Sequence, residues 1–167
     1  MKFILENSQL GITETLASDI ERICDIEKQH ENNQFITPYS KDRHLQVLNG
    51  KDEQHLSVWD KESNELIGFI ILAGLENSNL SLEFRRIVIQ SKGKGLGRQC
   101  LQLVKRYCFE NLRFHRLWLD VFEDNSRAIH LYKSEQFVEE GKLRDVIKQG
   151  DRFRTLIVLS ILENEFA

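Results

Sequence analysis

Proline is almost missing from this 167-residue chain; Pro38 stands alone, which excludes a proline-rich linker or tail. Cysteine is scarce as well. Cys24, Cys100 and Cys108 form an odd set with no CxxC spacing, so neither a disulfide framework nor a zinc site is expected, and a reducing compartment fits. The histidines are scattered with no HExxH pair, and no metal is expected. No apolar run approaches the roughly 18 residues that mark a membrane-spanning helix. Met1-Lys2-Phe3-Ile4-Leu5-Glu6 lacks the apolar core of a signal peptide, so a cytoplasmic protein without a membrane partner is expected. A basic excess is also lacking: 23 Lys+Arg against 26 Asp+Glu leave a charge of −3, which argues against nucleic acid as a partner.

What is present is ordinary globular composition, with 41% hydrophobic and 29% charged residues. A chain of this size buries roughly two-thirds of its unfolded surface, so one domain over residues 1–167 is expected. Three of the glycines, Gly93, Gly95 and Gly97, crowd into five positions. Backbone freedom is concentrated there.

Periodicity divides the chain into elements. Gln9 to Leu16 reads as a strand, and Ser18 or Asp19 caps a helix with Ile20, Ile23 and Ile26 on one face. A second helix is expected from Ser40 to Leu48, closed by Asn49-Gly50. Residues 54–60 and 65–73 read as a hairpin around Lys61-Glu62-Ser63-Asn64. In the strand Leu80 to Ile89, apolar residues are even at Leu82 and Phe84 but odd at Ile87 and Ile89. A β-bulge near Arg85-Arg86 explains the flip, and so does burial of both faces. A helix from Leu96 to about Asn111 follows, with Cys100 and Cys108 on its apolar stripe. Then come a strand Arg116 to Phe122, a helix opened by Asp124-Asn125-Ser126, and two strands, Phe137 to Ile147 and Arg152 to Leu162. The order β-α-α-β-β-β-α-β-α-β-β implies an α/β domain of three layers.

The segment Ile87-Val88-Ile89-Gln90-Ser91-Lys92-Gly93-Lys94-Gly95-Leu96-Gly97-Arg98 reads as strand, glycine turn and helix start. Unpaired N–H groups and the positive dipole end make such a turn an anion site, and Lys92, Lys94 and Arg98 add charge. The Walker A spacing GxxxxGK[ST] is absent, and Arg98 stands where a dinucleotide fingerprint needs its third glycine. The preceding strand also stands late in an apparently antiparallel run, unlike a nucleotide half-domain. A plain tight turn with solvated lysines is the competing reading.

Two separated segments carry a resemblance. Lys92-Gly93-Lys94-Gly95-Leu96-Gly97 is similar to a Gln/Arg-x-x-Gly-x-Gly/Ala signature, and the register from Gln90 also satisfies it. Asn125-Ser126-Arg127-Ala128-Ile129-His130-Leu131-Tyr132-Lys133-Ser134-Glu135-Gln136-Phe137 is similar to Asn-x-x-Ala-x-x-x-Tyr-x-x-x-Gly-Phe, departing at Gln136. In both, the chain resembles the GNAT superfamily of acetyl-CoA-dependent N-acetyltransferases. Glu140-Gly141-Lys142-Leu143-Arg144-Asp145 looks like its branch acting on ribosomal-protein N-termini or small amines. The resemblance implies a three-layer α/β/α fold around a mixed, mostly antiparallel sheet of about seven strands. It also implies acetyl-CoA as cosubstrate, a primary amine as acceptor, and direct attack through a tetrahedral intermediate.

That reaction needs a proton acceptor, an oxyanion donor and an acid for the thiolate. The resemblance places Tyr132 as the acid, and a phenol with a pKa of about 10 is protonated at neutral pH; its plain alternative is helix packing. Glu83 is the base candidate, acting through water; its alternative is an ion pair with Arg85 or Arg86. Strand alternation sets Glu83, Arg85 and Ile87 on one face unless a bulge intervenes. Ile87 and Val88 offer backbone groups to the thioester carbonyl and the cofactor arm. Lys92, Gly93, Lys94, Gly95, Leu96, Gly97 and Arg98 form the pyrophosphate loop, and Asn125 both caps its helix and holds the cofactor arm. Glu27 and Glu31, one turn apart, are the acceptor-binding candidates; a solvated acidic face is the alternative. The assembly is expected to be a monomer or homodimer. A non-catalytic acyl-CoA-binding or sensing module on the same fold, and an unrelated nucleotide-binding domain, are the rival functional classes.

Overall fold

The period-2 alternation of residues 53–89 buries side chains on both sides of a sheet and thereby sets two core layers. A computed structural model describes residues 1–29, 37–90 and 94–166. The strands are β1 (Leu5–Glu6), β2 (Leu10–Glu14), β3 (Glu53–Asp60), β4 (Glu65–Ala73), β5 (Ser81–Ile89), β6 (Arg116–Phe122), β7 (Val138–Gln149) and β8 (Arg152–Leu162). They form one eight-stranded sheet in the order β1-β2-β3-β4-β5-β6-β8-β7. The eighth strand beyond the expected seven is the two-residue β1, which pairs Leu5 with Ile12. It is too short to leave an alternation in the sequence.

The helices are α1 (Ile20–Gln29), α2 (Lys41–Asn49), α3 (Leu96–Arg106) and α4 (Ser126–Ser134). Ser40 caps α2 by accepting from the Arg43 N–H at 3.1 Å. Asp19 is the residue directly before α1. A short 3₁₀ turn, Ala17–Asp19, precedes it, and Asp19 accepts from the Leu16 N–H at 3.0 Å. Beyond Arg106 the helical path continues as one wide turn, Tyr107–Asn111. Helices α3 and α4 share a core layer with Leu72, Leu82, Phe84 and Ile89. Helices α1 and α2 share the other with Phe69, Ile71 and Val88. Cys100 and Cys108 are buried, and burial pushes both thiols up to about 12.

Every adjacent pair of strands is antiparallel except β5 and β6, which run parallel with α3 as their crossover. The run of strands is thus interrupted by one β-α-β unit, where the sequence suggested an antiparallel series. Among the described residues, no helix is long and apolar enough to cross a membrane.

Candidate functional site

The parity flip in β5 is a bulge. Ile71 faces Arg86 and the next residue of β4, Leu72, faces Phe84, so Arg85 is the extra residue. Beyond it Val88 and Ile89 are also both buried, so the second explanation of the flip holds at the strand end. The bulge corrects the expected facing of the site. Ile87 packs with the Leu82, Phe84 and Ile89 layer, whereas Val88 belongs to the opposite layer. Glu83 and Ile87 therefore lie on opposite faces.

The bulge coincides with a parting of strands. β5 pairs with β6 only at Ser81–Arg116, Leu82–Leu117 and Glu83–Trp118. From Phe84 onward, the edge of β5 turned toward β6 has no ladder partner among the described residues. Its continuation, Ile87 and Val88, hydrogen-bonds to β4 on the other side, opposite Ile70 and Phe69. A cleft thus opens between two parallel strands of the same sheet, and backbone groups line it.

Charged groups gather at the mouth. Arg85 donates to both oxygens of Glu83, at 2.8 and 3.3 Å, and to Glu53 at 3.0 Å. Arg43 from α2 grips Glu53 at 2.8 and 3.1 Å. Glu83 has thus taken the ion-pair arrangement that was the alternative to a free base. Asp120, on the same face as Trp118 and two residues farther along β6, makes no ion pair or hydrogen bond among the described residues. Its side chain is exposed, yet desolvation by neighbouring atoms raises its carboxyl above its ordinary value, and Glu83 pushes the same way. Sequence reasoning missed Asp120, although its signal was available: it is the sole charged residue within the apolar alternation Leu117, Leu119, Val121.

Tyr132 approaches from the other core layer. It packs on α4 against Phe137, with ring centroids 5.8 Å apart. Burial and the charge of Asp120 push its phenol up to about 12. Asn125 caps α4, accepting from the Ala128 N–H at 3.3 Å. The turn after α4 contains Gln136 at φ 76°, the left-handed region that a glycine adopts without strain.

Of the glycine loop, Lys92 and Gly93 lie outside the described residues. Gly95 is the cap residue of α3 at φ 71°, and a side chain at Gly97 would meet nothing within 4 Å. Lys94 is exposed and Leu96 is buried beneath the helix start. Arg98 is engaged elsewhere: its guanidinium donates to Glu135 at 2.6 Å and to Ser134 at 2.9 Å. Burial alone would raise the Glu135 carboxyl, but the hydrogen bonds from Arg98 and Lys105 hold it below its ordinary value. That cluster ties the first turn of α3 to the end of α4.

Glu27 is not on a solvated or groove-facing surface. It is fully buried, accepts from the Tyr39 N–H and His44 Nε2 at 2.9 Å, and accepts from Arg86 at 2.8 Å. Its amphipathic position hid this, because its partners come from the segment before α2, from α2 and from β5. Burial alone would raise its carboxyl, but the bonds from His44 and Arg86 hold it below the ordinary value. Glu31 lies outside the described residues.

The profile described as the acetyltransferase (GNAT) family matches residues 20–136. A spermidine N(1)-acetyltransferase of Vibrio cholerae is 29% identical over 168 residues, covering 96% of each chain. A crystal structure of spermidine N-acetyltransferase from Vibrio cholerae with CoA and spermine superimposes with a TM-score of 0.83, at 28% identity over 95% of this chain and 98% of that one. A dodecameric structure of that enzyme gives 0.80 at 27% identity, over 95% of this chain and 96% of that one.

Proposed function

Because the chain belongs to the acetyltransferase (GNAT) family, and so transfers acetyl from acetyl-CoA to an amine, we propose that its acceptor is a small linear polyamine of the spermidine type. The observation that carries this reading is the similarity to the Vibrio cholerae spermidine enzyme over 96% of both chains. The carboxylates at the cleft mouth suit a cationic acceptor, since primary amines of ordinary basicity are charged at neutral pH.

The residues divide the work as follows. The unpaired edge of β5 at Ile87 and Val88 receives the extended arm of the cosubstrate as a strand edge receives a peptide. Lys94, Gly95, Leu96 and Gly97 present the N-terminal amides of α3 to the pyrophosphate; Lys92 and Gly93 complete that loop. Gly95 and Gly97 fit this use, because no Cβ stands between the backbone and an approaching phosphate. Asn125 caps α4 and flanks the arm. Tyr132, its phenol proton retained by the raised pKa, gives that proton to the leaving sulfur. Glu83 and Asp120 face the acceptor. Arg98 acts on the loop by fastening α3 to α4. Residues 1–167 act as one acetyltransferase domain, in the cytoplasm, where the free thiols of Cys24, Cys100 and Cys108 suit the reducing conditions.

Thiol release from acetyl-CoA, measured across spermidine, spermine, N-terminal peptides and short monoamines, tests the acceptor. Polyamines are expected to give the highest kcat/KM. Higher values with peptides, or no turnover with any polyamine while another amine reacts, defeat the reading. The dodecameric Vibrio cholerae enzyme makes a larger assembly the rival of a monomer or homodimer, and light scattering separates them.

A further inference from the structure

The cleft holds two carboxylates on one face, and they are not equivalent. Both oxygens of Glu83 are taken by Arg85, at 2.8 and 3.3 Å. Arg85 also serves Glu53, which Arg43 neutralises from its other side. Arg43, Glu53, Arg85 and Glu83 form an alternating chain of two cations and two anions, already balanced. A proton placed on Glu83 would break a two-pronged guanidinium pair, which is a strong charge-assisted arrangement. Asp120 has no such partner among the described residues. It stands on β6 two residues past Trp118, the last residue paired with β5, at the point where the strands diverge.

We infer that Asp120, rather than Glu83, accepts the proton from the incoming ammonium group. This rests on the acetyltransferase reading given above. The groups around Asp120 agree. From β5 it faces Glu83 and Arg85, whose effects on its carboxyl oppose each other. Tyr132 of α4, on the other core layer, feels the charge of Asp120. Its partner on β8, Val158, carries no charge, and its same-face neighbours Trp118 and Phe122 carry none. Arg154 is stacked over Phe122 and paired with Asp124 at 2.7 Å. The Asp120 side chain is open to an incoming amine, and its affinity for a proton is raised, by desolvation first and by Glu83 second, which moves a base toward working pH.

The proton accounting closes. The ammonium gives one proton to the Asp120 carboxylate and becomes a neutral amine. Its nitrogen forms the C–N bond to the thioester carbonyl carbon, and the C–S bond breaks as the adduct collapses. The Tyr132 phenol protonates the departing sulfur and regains a proton from the acylated nitrogen. Asp120 returns its own proton to water. One ammonium and one thioester yield one amide, one thiol and one proton.

The test compares Asp120→Asn with Glu83→Gln in kcat/KM for spermidine from mildly acid to alkaline pH, with acetyl-CoA binding measured by calorimetry. Asp120→Asn is expected to keep acetyl-CoA binding and to lose roughly 10²- to 10⁴-fold in kcat. Its rate should climb steadily with pH toward the pKa of the free amine, where wild type has already levelled. Glu83→Gln should keep the wild-type profile shape. Activity of Asp120→Ala restored by added formate, with acetyl-CoA affinity unchanged, supports the same role independently of Asp120→Asn folding.

The inference is overturned if Asp120→Asn raises only KM and keeps the wild-type profile, since that marks an ammonium anchor. It is equally overturned if Glu83→Gln shows the climbing profile, or if formate restores nothing to a variant that still binds acetyl-CoA. Wild type active on another amine but not on polyamines defeats the acceptor assignment alone; the same profiles are then run with that amine. No wild-type turnover with any amine overturns both.

Discussion

His55 should make this protein acid-sensitive as pH falls below 6.5. Its ring is buried between His44, 3.0 Å from Nε2, and Thr15, 2.9 Å from Nδ1, and it stacks on Phe69 with centroids 5.3 Å apart. Burial first, and then repulsion from His44, lower its pKa from 6.5 to about 3. The imidazole is therefore neutral in the folded protein, while the unfolded chain takes up a proton as pH drops below 6.5. Stability is full above 6.5 and is lost as pH falls toward the folded value. Each unit of separation is worth about 1.4 kcal/mol, so the fall from pH 7 to pH 5 costs about 2 kcal/mol. That corresponds to a drop in Tm of about 4–8 °C for a domain of this size. Glu27 acts elsewhere: its folded pKa lies below 4.5, so its contribution is present above 4.5 and fades only under stronger acid. Urea midpoints of wild type and His55→Gln at both pH values check the argument. His55→Gln starts less stable at pH 7 but should lose much less between the two. An equal loss in both proteins refutes the assignment to His55.

Two further outcomes follow from the site and its borders. Tyr132→Phe removes the phenolic proton while keeping the ring that packs on Phe137; kcat should fall roughly 10²-fold or more, with acetyl-CoA affinity by calorimetry almost unchanged. Gln136→Gly relieves a residue held at φ 76°, where a side chain costs about 1 kcal/mol. The unfolding free energy from urea titration should rise by up to about 1 kcal/mol, less what glycine adds to the unfolded chain's freedom, with no change in kcat.

What could be read in the sequence was local. The cap at Ser40, the hairpin from Glu53 to Ala73 and the parity flip at Arg85 leave marks in neighbouring residues, because alternation and turn chemistry act over a few positions. Gln136 shows the same legibility from the other direction. Its departure from the expected glycine is visible in sequence, and the left-handed backbone shows why glycine suits that place. Long-range partnerships left no such mark. Glu27 looked like one of several acids on an exposed helix, yet its partners Tyr39, His44 and Arg86 arrive from three other segments. Arg98 looked like a phosphate ligand until Glu135, 37 residues later, claimed it. Asp120 breaks the apolar alternation of its strand, but its place beside Glu83 comes only from the parallel pairing of β5 with β6.

The half-open seam between β5 and β6 also bears on solubility. An unpaired strand edge inside a sheet is a template on which another chain can add itself, and proteins normally blunt such edges with charge or bulges. Here Arg85 is both the bulged residue and a cation at the mouth, while Asp120 carries charge into the opposite wall. The groups read as chemistry thus also guard the seam against adhesion. Neutral substitutions at both positions should leave a protein that is slower and also stickier, most of all when acetyl-CoA is scarce and the seam stands empty.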